Sequence, residues 1–208
     1  MASRRIYVDL DDVLSETGQA FIEVLARHFS RRVAFDDITD FDLGRSFDLS
    51  PVELEEFMER AHRPAVLAAM EPIPGAAAVL GGWIDAGYRV QVVTGRPPSA
   101  ARASRAWLEE RAMPHHDLLF VDKYGRGGTD PESGAQAIPL RRLRAEEYCL
   151  AVEDAAHVGA VLATELQIPV SLLERPWNRA EELPPSAAGA AVVRCRDWAE
   201  IGERFARP

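Results

Sequence analysis

The sequence predicts an α/β fold, in which a Rossmann-like, doubly wound parallel sheet carries a small helical cap inserted after the first strand. From residue 73 onward, short and almost wholly apolar runs alternate with stripes of helical period, as in parallel strands buried on both faces. Between the first such run and the rest, about 55 residues contain helical patterns and no convincing strand. We therefore predict a core made of residues 1–14 and 73–208, and a cap made of residues 15–72.

The first elements follow from local patterns. Ile6–Leu10 is a short β-rich run that ends abruptly in acidic residues, which predicts a buried strand. Apolar residues then recur at helical spacing between Thr17 and Phe29, which predicts a helix. Ser50 precedes a proline and stands three residues before Glu53, so a second cap helix should begin there with a capping box.

The core elements come next in regular alternation. Helical stripes are predicted around 79–84, 99–111 and 158–166. The predicted strands between and after them are Tyr88–Thr94, Leu118–Val121, Tyr148–Val152, Val170–Leu173 and Ala190–Val193. Residues 125–136 contain four glycines without an apolar period, which indicates a flexible loop or a small flap.

Charge and composition exclude several classes of function. The 208 residues include 24 Lys plus Arg and 33 Asp plus Glu, and the net charge of −9 argues against broad nucleic-acid binding. An anionic substrate requires a bound cation or a cluster of donors that reverses the field locally. We find no apolar window long enough for a signal peptide or a membrane span, and we interpret Cys149 and Cys195 as reduced thiols of a cytoplasmic protein.

Functional side chains stand where the predicted strands end. In a doubly wound sheet the active crevice lies outside the carboxyl ends of the strands, so these residues should meet. In chain order they are Asp9 and Asp11, Thr94, Gly95 and Arg96, Lys123, and finally Glu153 and Asp154.

Such a set suits phosphoryl chemistry. Clustered carboxylates repel unless a cation lies among them, and Mg²⁺ prefers a few carboxylates together with a substrate phosphate. One aspartate could then attack phosphorus while a second transfers protons. The Thr94 hydroxyl, the Gly95 amide and the Lys123 ammonium are suitable donors for the phosphoryl oxygens. Lys123 is also the only lysine of the chain.

These residues resemble the haloacid dehalogenase superfamily. Asp9-Leu10-Asp11-Asp12-Val13 is similar to its first motif, Val93 to Pro97 to its second, Lys123 to its third, and Val152-Glu153-Asp154 to its fourth. The resemblance implies a nucleophile at Asp9 and an acid/base at Asp11, whose backbone carbonyl also contacts Mg²⁺. It further implies that Thr94 and Lys123 contact the phosphoryl group, and that Asp9, Asp154 and Glu153 hold the ion. Residues 15–72 occupy the place of the superfamily's helical cap.

Within the superfamily, the motifs Thr94 to Pro97, Asp122-Lys123 and Arg175 to Arg179 look most like the 5′(3′)-deoxyribonucleotidase group. This implies a Mg²⁺-dependent phosphomonoesterase that acts on (deoxy)nucleoside monophosphates. Glu153-Asp154-Ala155 is equally similar to the sugar-phosphate mutase and phosphoglycolate phosphatase branch. For a nucleotide substrate, Phe41 either stacks on the base or packs inside the cap. Arg96 grips a phosphate or pairs with an acid of the crevice.

Several alternatives stay open at this point. A phosphotransferase would use the same residues, and a nucleic-acid end phosphatase shares part of the motif pattern but should carry a basic groove. A receiver-like signalling module also gathers acids, a threonine and a lysine, although it places its phosphorylated aspartate on a later strand. We expect a small phosphorylated substrate and no membrane partner, and the sequence leaves open whether the protein forms a homodimer.

Overall fold

A computed structural model describes residues 4–125, 127–143, 148–184 and 190–207. The predicted core also includes residues 1–3, 126, 144–147, 185–189 and 208, which lie outside the described residues. The strands are β1 Arg5–Asp9, β2 Arg89–Thr94, β3 Asp117–Asp122, β4 Gly128–Thr129, β5 Gln136–Pro139, β6 Tyr148–Glu153, β7 Val170–Leu173 and β8 Val192–Cys195. The helices are α1 Thr17–Phe29, α2 Leu43–Ser46, α3 Pro51–Ala61, α4 Pro64–Ala69, α5 Ala76–Asp85, α6 Ala101–Glu110, α7 Ala156–Thr164 and α8 Trp198–Arg204.

The strands form one eight-stranded sheet in the order β4-β5-β3-β2-β1-β6-β7-β8. All neighbouring pairs are parallel except β4 with β5. The chain moves from β1 outward to β3 and later returns to the other side of β1 with β6. The order of the strands therefore reverses between β1 and β6, and a crevice opens at their carboxyl ends.

Both faces of the sheet are covered, which confirms the predicted fold class. Along β1, Ile6 and Val8 pack into one hydrophobic cluster with side chains of α5, α6 and α8, and this cluster continues into residues 15–72. Tyr7, between them, points to the opposite face and packs with residues of α7. Successive side chains of a strand alternate between faces, so a strand buried on both faces must be apolar almost throughout.

The stretch predicted as the cap holds α1 to α4, and the structure describes all of its residues without a strand. Its two ends lie side by side: the Glu16 amide donates to the Glu71 carbonyl at 2.8 Å, and the Ile73 amide donates to the Leu14 carbonyl at 2.8 Å. The division into cap and core at these points stays a prediction.

The element predictions agree closely with the structure at the buried strands. α1 and β7 have the predicted bounds, and α3 begins with the predicted capping box of Ser50 and Glu53. The last strand begins two residues later than predicted, at Val192. The segment 125–136 contributes β4 and the start of β5, because antiparallel pairing with β5 satisfies backbone groups that periodicity cannot reveal. None of the helices in the described residues is long and apolar enough to cross a bilayer.

Candidate active site

Four neighbouring strands deliver the predicted residues to one edge of the sheet. Asp9 is the last residue of β1, Thr94 the last of β2, and Lys123 follows β3 directly. Glu153 ends β6 and Asp154 follows it. Since β1 and β6 are paired at the reversal of strand order, Asp9 lies close to the two acids of β6. The four strands therefore bring these residues to the same edge of the sheet.

The Lys123 side chain is fully buried between two carboxylates. Its Nζ lies 2.8 Å from Asp9 Oδ1 and 2.9 Å from Glu153 Oε2, and it also lies 5.5 Å from the centre of the Tyr7 ring. The Tyr7 hydroxyl donates to Glu153 at 2.8 Å. Burial opposes the charge on Lys123, yet the adjacent Asp9 and Glu153 carboxylates hold its pKa well above the usual value. The two carboxylates therefore favour the charged form of Lys123.

Three carboxylates meet around this cation. Asp9, Glu153 and Asp154 are all buried, and each offers an oxygen within 4.8 Å of those of the other two. Burial raises the pKa of Asp9, and repulsion from Glu153 raises it further. Burial, with repulsion from Glu153 and Asp9, likewise raises the pKa of Asp154. One ammonium cannot balance three carboxylates, so the charge and the all-oxygen donor set fit a divalent cation such as Mg²⁺.

Asp11 lies beside this group and has cationic and hydroxyl partners of its own. Arg96 Nη2 and Nε lie 2.7 Å and 2.9 Å from Asp11 Oδ1, and the Thr17 hydroxyl donates to the same oxygen at 2.7 Å. The Thr94 hydroxyl lies 3.4 Å from Asp11 Oδ2. Burial would raise the pKa of Asp11, but Arg96 and Thr17 outweigh it and lower the pKa. Asp11 is therefore present as a carboxylate, the form that can act as a base.

Arg96 is one of the most buried charged residues, with 3% of its surface exposed. Besides Asp11, its guanidinium donates to the hydroxyl of Ser104 at 3.2 Å and to that of Ser15 at 3.3 Å. Of the two partners that the sequence left open, a phosphate and an acid of the crevice, the structure places Arg96 on the acid. A role in substrate binding stays a prediction.

Gly95 has no room for a side chain. A Cβ on it would lie 2.8 Å from Cε2 of Tyr124 and 3.3 Å from Cδ of Lys123. Its backbone is thus pressed between these residues beside the buried Thr94. The close approach explains why glycine follows the strand here. The contact between the Gly95 amide and a phosphoryl oxygen stays a prediction.

A cavity of about 910 Å³ opens over these groups. Phe41, from residues 15–72, lies on its wall with ring centres 4.9 Å from His157 and 6.0 Å from Tyr124. Tyr124 stands just after β3 and His157 stands in α7, so Phe41 links residues 15–72 to both of these elements. Stacking of Phe41 on a substrate base stays a prediction.

Sequence reasoning missed three residues of this site. Thr17 begins α1 and contacts Asp11, and its only signal was its place six residues after that acid. Tyr124 follows Lys123 and covers Gly95. Trp177 donates its indole N–H to Asp154 Oδ2 at 2.9 Å. The sequence indicated residues 175–179 as a motif, but it did not predict their contacts, which depend on the path of the chain after β7.

The fold and this site together define the class of protein. A HAD-superfamily hydrolase from Geobacter sulfurreducens superposes with a TM-score of 0.59, at 18% identity over 98% of this chain and 97% of that one. A structure of "the putative HAD-hydrolase YfnB from Bacillus subtilis bound to magnesium" has a TM-score of 0.59 at 10% identity over 99% of each chain. These likenesses show that the chain has the fold of the haloacid dehalogenase superfamily, as its motifs indicated.

Sequence comparison then gives the family. Residues 3–165 match the model of the family described as "5' nucleotidase, deoxy (Pyrimidine), cytosolic type C protein", and the chain belongs to this family. A curated relative from Halalkalibacterium halodurans, "Putative nucleotidase BH1399", is 25% identical over 197 residues, which cover 95% of this chain and 90% of the relative. The protein is therefore an enzyme that hydrolyses phosphoric monoesters.

Proposed function

We propose that the protein is a Mg²⁺-dependent nucleotidase that dephosphorylates (deoxy)nucleoside monophosphates through an aspartyl-phosphate on Asp9. The observation that carries this proposal is the meeting of Asp9, Asp11, Lys123 and Asp154 beneath one cavity, although they stand up to 145 positions apart in the chain. The family match supports the same reading.

The residues divide the chemistry between them. Asp9 attacks phosphorus in line, and the bond from phosphorus to the leaving alkoxide breaks as the bond to Asp9 forms. Lys123, held at 2.8 Å from Asp9, stabilises the attacking carboxylate and the charge on the phosphoryl oxygens. Asp9, Asp154 and Glu153, with the backbone carbonyl of Asp11, would hold Mg²⁺. The ion supplies positive charge that neutralises the phosphate and the acids.

Asp11 has the proton-transfer role. It protonates the departing alkoxide, and as a carboxylate it then takes a proton from the water that hydrolyses the acyl phosphate. The arrangement described favours the second step, because Arg96 and Thr17 stabilise the ionised form. Protonation for the first step must work against these two contacts.

The lining of the cavity supports an uncharged leaving group with an apolar ring. Much of its wall is aromatic or aliphatic, with Phe21, Ile38, Phe41, Phe47 and Met58 on the side formed by residues 15–72. Away from the catalytic group, the described lining adds the acids Asp40, Asp42, Glu59 and Asp122, against one arginine, Arg63. A second phosphate or a carboxylate on the leaving group would meet repulsion there, whereas a nucleoside would not.

Asp9→Asn tests the nucleophile. With Mg²⁺ present, we expect this variant to lose at least ~10³-fold in kcat on an aryl phosphate, because an amide cannot form the acyl phosphate. Phosphate release is measured, and Asp85→Asn, at the end of α5, is the matched control that should retain activity. Turnover by Asp9→Asn close to that of the unaltered enzyme would refute the assignment.

A substrate panel tests the rest of the proposal. Nucleoside monophosphates, sugar phosphates and phosphoglycolate are compared with Mg²⁺ and with EDTA, and both free phosphate and transfer to a sugar acceptor are measured. We expect the highest kcat/KM for nucleoside monophosphates, free phosphate as the product, and loss of activity in EDTA. Preference for phosphoglycolate or a sugar phosphate would contradict the substrate assignment, and transfer to the acceptor would make the enzyme a phosphotransferase.

A further inference from the structure

The segment that follows β7 wraps around the acidic loops of the site. Arg175 Nε donates to the backbone carbonyl of Asp12 at 2.8 Å. Asn178 is fully buried, and its amide nitrogen donates to the carbonyls of Asp154 at 2.8 Å and Leu173 at 2.9 Å. Residues 175–178 thus hold the loop after β1 and the loop after β6 by their backbones, and fix the distance between them.

Trp177, in the same segment, holds a side chain instead. Its indole N–H donates to Asp154 Oδ2 at 2.9 Å, with 6% of the tryptophan and 4% of the aspartate exposed. The other three tryptophans, all buried, donate to backbone carbonyls, those of Phe205, Met70 and Val13. An indole N–H is therefore readily satisfied by the backbone in this fold, and Trp177 differs in pairing with an ionisable group.

This contact restrains the Asp154 carboxylate. Oδ2 accepts from the Trp177 indole, which limits rotation of the carboxylate about its side-chain bonds. The same carboxylate offers an oxygen within 4.8 Å of oxygens of Asp9 and Glu153. A ligand oxygen held in this way needs no reorientation when a cation binds.

The Trp177 ring also has an aromatic neighbour. Phe35, from residues 15–72, packs edge-on against Trp177 with ring centres 5.6 Å apart and an interplanar angle of 73°. Trp177 also lines the cavity. One ring thus contacts residues 15–72, the cavity and an acid of the cluster.

We propose that Trp177 is a positioning residue for the divalent cation: it fixes Asp154 through Oδ2 so that this carboxylate is presented to the ion. This inference rests on the proposed Mg²⁺ dependence. Hydrogen-bond partners of ligating carboxylates typically contribute ~10- to 100-fold to metal affinity. Trp177 acts on the ion only through Asp154, so its removal should alter metal binding more than the chemical step.

The test is direct Mg²⁺ binding by the full-length protein, measured by titration calorimetry after EDTA treatment. Trp177→Phe removes the N–H and keeps an aromatic ring, and Trp83→Phe, whose indole donates to Phe205 on another part of the molecule, is the matched control. We expect Trp177→Phe to raise the Kd for Mg²⁺ ~10- to 100-fold and Trp83→Phe to leave it unchanged. At saturating Mg²⁺, kcat of Trp177→Phe should recover most of its value.

The outcomes separate the two proposals. If the unaltered protein shows no saturable Mg²⁺ binding, the proposed Mg²⁺ dependence fails, and this inference fails with it. If it binds Mg²⁺ and Trp177→Phe binds equally well, only the role of Trp177 is refuted. Unaltered Mg²⁺ affinity with a reduced kcat would refute it too.

A second measurement needs no variant of Trp177. The indole N–H resonance of Trp177 in the unaltered protein, identified by its proximity to Phe35, is followed by NMR during a Mg²⁺ titration. We expect it to shift with the same Kd as calorimetry gives, while the Trp83 resonance stays in place. A Trp177 resonance that does not respond to bound Mg²⁺ would overturn the proposal even if Trp177→Phe does not fold.

Discussion

At the scale of single residues, Lys123 forms ion pairs with two buried acids of the site. It is the only lysine of the chain, and its side chain has no exposed surface, with Asp9 and Glu153 at 2.8 Å and 2.9 Å. A buried ion pair contributes little net stability when formed, but removal of one partner leaves the other charge uncompensated. Removal of Lys123 would leave two such charges, those of Asp9 and Glu153. We therefore expect Lys123 to matter for stability as well as for the proposed catalysis.

Lys123→Met tests both roles. We expect this near-isosteric variant to lower the free energy of unfolding by ~3–5 kcal/mol, because Asp9 and Glu153 stay buried without their cation. We also expect kcat to fall ~10²- to 10³-fold through loss of a donor to the phosphoryl group. Urea unfolding and phosphate release measure the two effects. Lys123→Arg restores the charge but not the compact shape, so full activity in that variant would contradict this account.

The type of a residue does not determine its partner, as Arg96 shows. Its position after β2 allowed contact with a phosphate or with an acid, and both interactions use the same guanidinium geometry. The structure pairs it with Asp11, since the buried hydroxyls of Ser15 and Ser104 hold its remaining N–H groups. Those hydroxyls stand 81 and 8 positions away along the chain. No local pattern could identify the first of them.

At the scale of elements, the starts of α3 and α8 follow local capping rules. The capping box of Ser50 and Glu53 was predicted from four consecutive residues and is present at α3. α8 has a similar start, with the Asp197 side chain accepting from the Glu200 amide. Glu200 in turn accepts from the backbone and side chain of Arg196 and from Arg204. These hydrogen bonds, from the Arg196 amide first, lower the pKa of Glu200 to about 2.

Glu200→Gln should therefore change the pH dependence of stability. The folded pKa lies below the unfolded one, so the contribution of Glu200 is present above pH ~4.3 and is lost as the pH falls toward 2. We expect the variant to have a lower Tm than the unaltered protein at pH 7, with the difference shrinking steadily between pH 4.3 and 2. Thermal unfolding followed by circular dichroism measures this. A difference in Tm that is constant with pH would contradict it.

At the scale of the whole molecule, the cavity depends on contact between residues 15–72 and the sheet. Phe41 provides part of this contact through His157 and Tyr124, which belong to α7 and to the turn after β3. The Phe41 ring therefore joins residues 15–72 to the rest of the molecule at the wall of the cavity. A substrate that fills the cavity should depend on it more than a small phosphate does.

Phe41→Leu tests this dependence. We expect kcat/KM for a nucleoside monophosphate to fall ~10-fold or more, since one poorly filled apolar contact is worth ~1–3 kcal/mol, while acetyl phosphate hydrolysis changes little. Phe29→Leu is the matched control, because Phe29 packs on Phe57 away from the cavity. Steady-state kinetics give kcat/KM for both substrates. Equal losses on the two substrates would show that Phe41 does not select the leaving group.

The sequence by itself determined the fold class, most strands, the start of α3 and the residues at the strand ends. These depend on short-range information: the alternation of buried side chains, capping chemistry and the rule that parallel strands end at one edge. Only the tertiary structure decided which donor meets which acid: Arg96 with Asp11, Trp177 with Asp154, and Lys123 between Asp9 and Glu153. Hydrogen bonds and ion pairs act over about 3 Å, so they depend on how distant segments pack, and no local pattern encodes that distance.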